Sequence, residues 1–184
     1  MSRFEFLMMI AAVVVAVGMT EIVGGWGRLM RTKAVVKIDW LHLAWTVMIL
    51  FSLIQYWIGM WSYNLLPIDR MVQIFFLIIP SLFGVLAAFA ITPDVPMEGE
   101  LVIRDYYWAK RKAVFLPLAG YVLTALIADL VIIGFDKVEI LDMIPFVVGS
   151  AMFVLLAVVK WRWIHIIALV GWWATNLTDL NVVD

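Results

Sequence analysis

Hydrophobic positions in this sequence gather into runs of about twenty residues, separated by short stretches that hold most of the charge. The runs lack the strict alternation of apolar and polar residues that marks barrel strands, so they predict helices. A helix crossing the hydrocarbon of a bilayer needs about 20 mostly apolar residues. Six runs approach or reach that length: Phe4–Gly24, Trp40–Trp61, Met71–Thr92, Ala113–Phe135, Asp142–Val159 and Trp163–Asn176. The last two are short and joined only around Trp161 and Arg162, which predicts a tight helical hairpin or a tilted or re-entrant segment. Pro80 and Pro145 fall inside runs, where neighbouring groups can take up the freed carbonyls. The expected fold is an all-α integral membrane protein, one domain over residues 1–184, built as a six-transmembrane-helix bundle.

Composition removes the soluble alternative. The chain is 66% hydrophobic over 184 residues, with a mean hydropathy of +1.06, against about 45–50% apolar in soluble domains. A chain this short cannot hide that much apolar surface from water. The first run follows Arg3 but continues to Val23 with no clean small-residue cleavage site, so it reads as a retained span rather than a signal peptide. Absence of cysteine excludes disulfides, thiolate metal sites and cysteine nucleophiles. A net charge of −1 gives no electrostatic case for nucleic acid.

Charge sets the orientation. Ten of the thirteen Lys and Arg residues fall in the first, third and fifth loops: Arg28, Arg31, Lys33, Lys37, Arg104, Lys110, Arg111, Lys112, Lys160 and Arg162. Arg3, Arg70 and Lys137 fall on the other side. The positive-inside rule then makes the odd-numbered loops cytoplasmic and puts both termini outside, with Asp69, Asp136, Glu139, Asp142, Asp179 and Asp184 facing outward. Trp26, Trp40, Trp108, Trp161 and Trp163 lie near the inner boundary, and Trp57, Trp61, Trp172 and Trp173 near the outer one, as amphipathic rings prefer. The long third loop carries "EGELVIRDYYWAKRK", residues 98–112, expected as a cytoplasmic interfacial segment running into the fourth span. Glu100 and Arg104 have helix-pair spacing in it, and Lys110, Arg111 and Lys112 would face anionic lipid. With Arg28 and Arg31 these residues are candidates for binding lipid or a protein partner.

Polar groups inside lipid are costly and mark functional hypotheses. Glu21, His42, Gln55, Asp129, His165 and Asn176 are the candidates for an ion or proton pathway. Glu21 shares a helix face with Gly18, Gly25 and Arg28. Seven residues is too far for a direct pair on a straight helix, so its expected partner is a basic residue of another helix, or the carboxyl is a proton or cation site. Asp129, in "ALIADLVII", needs a proton or a partner at similar depth, with Gln55, Asn176 and Tyr56 as candidates. The two histidines occupy echoing stretches, "DWLHLAW" (Asp39–Trp45) and "WRWIHIIAL" (Trp161–Leu169). Alternation of spans places them at one depth on parallel helices, where they could form a haem or metal ligand pair, with Glu21 and Asp39 as further ligands. A proton-handling role and a plain interfacial role stand beside that. His165, Trp172, Asn176 and Asp179 form one stripe, and Ser52, Gln55 and Gly59 another; these faces either line a pathway or pack helices together.

"GWGRLMR" (Gly25–Arg31), "DWLHLAW", "QYW" (Gln55–Trp57) and "EGELVIRDYYWAKRK" resemble a group of small multi-span bacterial membrane proteins with no assigned activity, over roughly the first two-thirds of the chain. That resemblance implies a bacterial inner membrane and brings no reaction, cofactor or catalytic residue. The chain has no P-loop, G-x-S-x-G or H-E-x-x-H motif. The first functional expectation is small-ion or proton movement by a homo-oligomer without a cofactor. The alternatives are a non-catalytic membrane subunit or lipid- or partner-interacting scaffold, and a haem- or metal-binding redox subunit.

Overall fold

The computed structural model describes residues 3–178. Its elements in order are α1 (Arg3–Arg31), β1 (Val35–Lys37), α2 (Trp40–Gly59) with a 3₁₀ turn (Met60–Tyr63), α3 (Met71–Ile91), β2 (Glu100–Val102), α4 (Ile103–Ile132), α5 (Ile140–Val158) and α6 (Arg162–Thr178). The fold is all-α apart from one short strand pair. Five helices, α1 to α5, are long and apolar enough to cross a membrane. The sixth has 17 residues, about 25 Å of helix against a hydrocarbon core of about 30 Å. Large apolar side chains point outward from the bundle; Val13, Phe75, Val148 and Val170 are each more than half exposed. Such a belt is stable against lipid and not against water.

Two helices overrun their apolar stretches. With 29 and 30 residues, α1 and α4 are each about 45 Å long, about half as long again as the hydrocarbon needs. Hydropathy marks only the part of a helix that meets lipid, whereas the backbone ladder continues wherever the side chains permit. Thus α1 ends at Arg31 rather than Gly24, and α4 begins at Ile103 rather than Ala113. Within the segment at 98–112, expected to lie at the interface and run into the fourth span, the chain forms β2 and then the first turns of α4.

Small residues set the packing order. Between α1 and α3, a Cβ added at Gly18 would lie 3.1 Å from Val85 Cγ2, and one at Gly25 would lie 2.3 Å from Thr92 Cγ2. The two glycines share one face of α1, and matching spacing along α3 shows the helices running parallel. A Cβ at Gly120 of α4 would meet the Phe83 ring of α3 at 2.9 Å, and Ser150 Oγ of α5 donates to the Ala119 carbonyl of α4 at 3.1 Å. In the row α1, α3, α4, α5, neighbours therefore approach closely at small residues. α2 and α6 pack across this row and run parallel to each other, since Asp39 meets Arg162 at one end and Ser52 meets Trp172 further along. The core between them holds Trp45, Phe115 and Phe153, all fully buried, with the Trp45 and Phe115 rings edge-to-face at 4.9 Å.

Pro80 cannot donate to the carbonyl one turn back. In the same stretch the Tyr56 hydroxyl donates to the Leu77 carbonyl at 2.5 Å and Ser81 Oγ to the Ile78 carbonyl at 2.6 Å, so polar groups here find partners inside the protein.

The Gly25 contact gives a direct test. Thr92 Oγ1 is held on the Ala88 carbonyl at 2.8 Å, which keeps its methyl against α1. Gly25→Ala is expected to destabilise the detergent-solubilised protein by about 1–3 kcal/mol, as overpacking does, and Thr92→Ser in the same chain should recover most of it. Unchanged thermal stability in Gly25→Ala alone would refute the close approach.

Candidate functional site

Three loops meet at one end of the bundle. β1, from the first loop, pairs in parallel with β2, from the third, with Val35 opposite Glu100 and Lys37 opposite Val102. Gly99 has φ +96° and feeds the chain into β2 in a conformation that disfavours side chains. Thr32 Oγ1 donates to the Pro96 carbonyl at 2.6 Å, and Lys37 Nζ lies 2.5 Å from Glu100 Oε1. The Glu100 hydrogen bond and charge raise the Lys37 ammonium above its ordinary value. Glu100 therefore pairs across the strands with Lys37, not along a helix with Arg104; it lies in β2, where the i,i+4 geometry does not exist.

The fifth loop joins through Arg162. Asp39 caps α2, accepting from the Leu41 N–H at 2.8 Å, and Arg162 at the start of α6 grips it with two nitrogens, at 2.7 and 3.1 Å. Burial pushes the Asp39 carboxyl up, but the Arg162 hydrogen bonds, the Leu41 N–H and the Arg162 charge outweigh it and hold the group below the usual carboxylate range. The Arg162 guanidinium also lies 5.3 Å from the Trp40 ring centroid. The two echoing stretches therefore sit side by side in register. Asp39 aligns with Arg162, Trp40 with Trp163 and His42 with His165, and the pair of opposite charges at the first position clamps the helices. The shared spacing of 123 residues agrees at too few other positions for the sequence to distinguish it from chance.

The histidines meet a third ring. Tyr107 of α4 packs edge-to-face on both, with centroids 6.3 Å from His42 and 5.6 Å from His165. His42 Nε2 faces the Ile91 carbonyl at 2.7 Å. His165 Nε2 faces the Val159 carbonyl at 3.0 Å and its Nδ1 faces the Tyr107 hydroxyl at 2.6 Å. A carbonyl only accepts, so each Nε2 carries the proton and His165 Nδ1 takes the tyrosine hydrogen. The lone pair of His165 is thus already used. A haem or metal held between the two imidazoles would have to displace Tyr107, and among the described residues no three His, Cys, Asp or Glu gather to hold a metal.

Beside this network opens a cleft of about 360 Å³. It is lined by Lys37 at the end of β1 and Ile38 just after it, Asp39 and Trp40 at the start of α2, Val102 at the end of β2, Arg104 at the start of α4, and Arg162. Three basic side chains face it, and Asp39, already engaged by Arg162, is its one acidic residue. These basic residues differ from those the sequence singled out. Arg28 pairs with Glu21 of its own helix at 2.5 Å, against the expectation that seven residues is too far. The two positions lie on one helix face, and an extended arginine spans the two turns. Arg31 Nε returns to the Gly27 carbonyl at 3.1 Å, and half-buried Arg111 donates to the Trp108 carbonyl at 2.7 Å. Lys110 and Lys112 stay exposed on α4.

The pathway candidates do not converge. Asp129 accepts from the Tyr63 hydroxyl of the 3₁₀ turn after α2, rather than from Gln55, Asn176 or Tyr56. Asn176 donates to the Trp172 carbonyl of its own helix at 2.7 Å, and Gln55 is half-buried. The two polar stripes do meet, through Trp172 Nε1 donating to Ser52 Oγ at 3.3 Å. Asp179, placed on the α6 stripe, and Asp184 lie outside the described residues. The cavity between Ser52, Gly84 and Tyr121 at mid-depth measures about 10 Å³, room for at most one water. Comparison with protein-family models, curated proteins and solved structures finds no match for this chain.

Proposed function

We propose that this chain is a six-span protein of a bacterial inner membrane, with the three-loop end cytoplasmic and both termini outside, and that it serves there as a non-catalytic, lipid-interacting membrane subunit. One observation carries the reading: three loops distant in sequence are fastened by strand pairing and two ion pairs around a basic cleft. Preorganised charge on a rigid frame is what recognition of an anionic surface requires. The uneven split of Lys and Arg supports the orientation. The antiparallel course of α6 against α5, with Phe153 on Trp172 and Val159 near His165, supports a sixth span.

The test is co-purification in mild detergent with identification of the retained lipid. Anionic phospholipid should be enriched over zwitterionic lipid relative to the membrane it came from, and proteoliposomes should pass no more ions or protons than empty vesicles. Equal retention of both lipids, or a flux above the empty control, overturns the reading.

Small-ion or proton movement by a homo-oligomer is the second reading, favoured by Asp129, a carboxyl inside a span with a tyrosine hydroxyl on it. It requires a flux that Asp129→Asn or Glu21→Gln abolishes.

A further inference from the structure

The cleft has a shape and charge that narrow its ligand. α2 has 20 residues, about 30 Å, the thickness of the hydrocarbon core. Its first residue, Trp40, therefore stands at the headgroup boundary, more than half exposed. The cleft opens at that level. Its volume suits a small polar molecule or headgroup. Among the described residues Arg104, exposed at its rim, makes no ion pair, Lys37 pairs with Glu100, and Arg162 is 29% exposed while bound to Asp39. The N-termini of α2, α4 and α6 converge here as well, and their aligned peptide dipoles add positive potential to that of the side chains. Trp40 supplies an apolar wall beside the cations, fit for the glycerol and upper acyl carbons of a lipid.

We propose that this cleft binds the phosphate of an anionic glycerophospholipid headgroup, between Arg104 and Lys37 with Arg162 and Trp40 as its floor. The proposal rests on the lipid-interacting reading and assigns that role to residues other than the exposed basic run at 110–112. The Arg104 fork can grip two phosphate oxygens, and Lys37 adds a point charge. Glu100 competes with the ligand for Lys37.

The experiment uses the full chain in nanodiscs of phosphatidylcholine with a minor share of phosphatidylglycerol, released into native mass spectrometry to count retained lipid. Wild type should keep phosphatidylglycerol preferentially. Arg104→Gln with Lys37→Gln should lower that retention about tenfold, while Lys110→Gln with Lys112→Gln, which removes equal charge further along α4, leaves it within about twofold. Glu100→Gln should raise it, because Lys37 is freed. Equal losses in the two double variants would overturn the cleft as the site and leave the broader reading standing. Absence of any phosphatidylglycerol preference in wild type would overturn both. Inorganic phosphate binding to wild type in phosphatidylcholine-only discs, lost in Arg104→Gln with Lys37→Gln while lipid retention is kept, would assign the cleft to a soluble phosphate and overturn the lipid.

Discussion

Trp45→Ala is expected to destabilise the detergent-solubilised protein by about 3 kcal/mol, near the lower end of the range for large aromatic truncations. Trp45 is fully buried, with its ring 4.9 Å from Phe115 and 6.1 Å from Phe153. In lipid the apolar transfer term that dominates soluble cores is largely absent, because acyl chains are as apolar as leucine. The cost is therefore lost dispersion contact around a cavity that α2, α4 and α5 cannot close. The indole N–H finds no hydrogen-bond partner among the described residues, so its aromatic surface carries the packing. Trp45→Phe removes no hydrogen bond and should cost no more than about 1.5 kcal/mol. Thermal midpoints followed by size-exclusion recovery separate the two. A Phe variant as unstable as the Ala variant would mean that the N–H matters and that the packing account is incomplete.

Arg162→Ala is the second large effect, at about 2–3 kcal/mol. It leaves the Asp39 carboxylate, with a side chain only 6% exposed, held by backbone N–H groups of α2 without its arginine. The magnitude stays below that of a deeply buried pair because Arg162 itself is part-exposed to water. Asp39→Asn in the same chain should recover much of the loss, since a neutral amide needs no counter-ion. The sign of the pH dependence follows from the depressed folded value of Asp39. Its stabilising contribution is present above the unfolded value and is lost as pH falls through the folded one, so wild type weakens at this site below about pH 4. In Arg162→Ala the carboxyl is buried without its cation, and acidification from neutrality should stabilise the variant relative to wild type. Parallel acid profiles for the two proteins would show that the ion pair contributes nothing.

Much of the fold was legible, for a physical reason. Lipid tolerates a backbone only as helix or closed barrel, so apolar runs located α1 to α5 within a few residues at their lipid-facing ends. The failures cluster where helices leave the hydrocarbon. The extension of α1 to Arg31 and the start of α4 at Ile103 lie in polar sequence that hydropathy ignores. The strand pair is three residues on each side, too short for any periodicity, and its partners lie far apart in the chain. The sequence marks Asp129 as needing a partner but gives no sign of Tyr63, which sits in a turn after α2 rather than inside a run.

The sequence by itself determined that this chain is apolar enough for a membrane and that its elements are helices, and it raised the expectation that the two histidines occupy equivalent turns of parallel helices. Those properties follow from composition, run length and alternation, which are local or additive. The tertiary structure alone decided the partners. It put Tyr107 against both imidazoles, closed Asp39 on Arg162, and gathered Lys37, Arg104 and Arg162 around one cleft. Each of those depends on how far one helix slides and turns against another. Small residues such as Gly18, Gly25 and Gly120 set those distances through close contacts that no single run of sequence specifies.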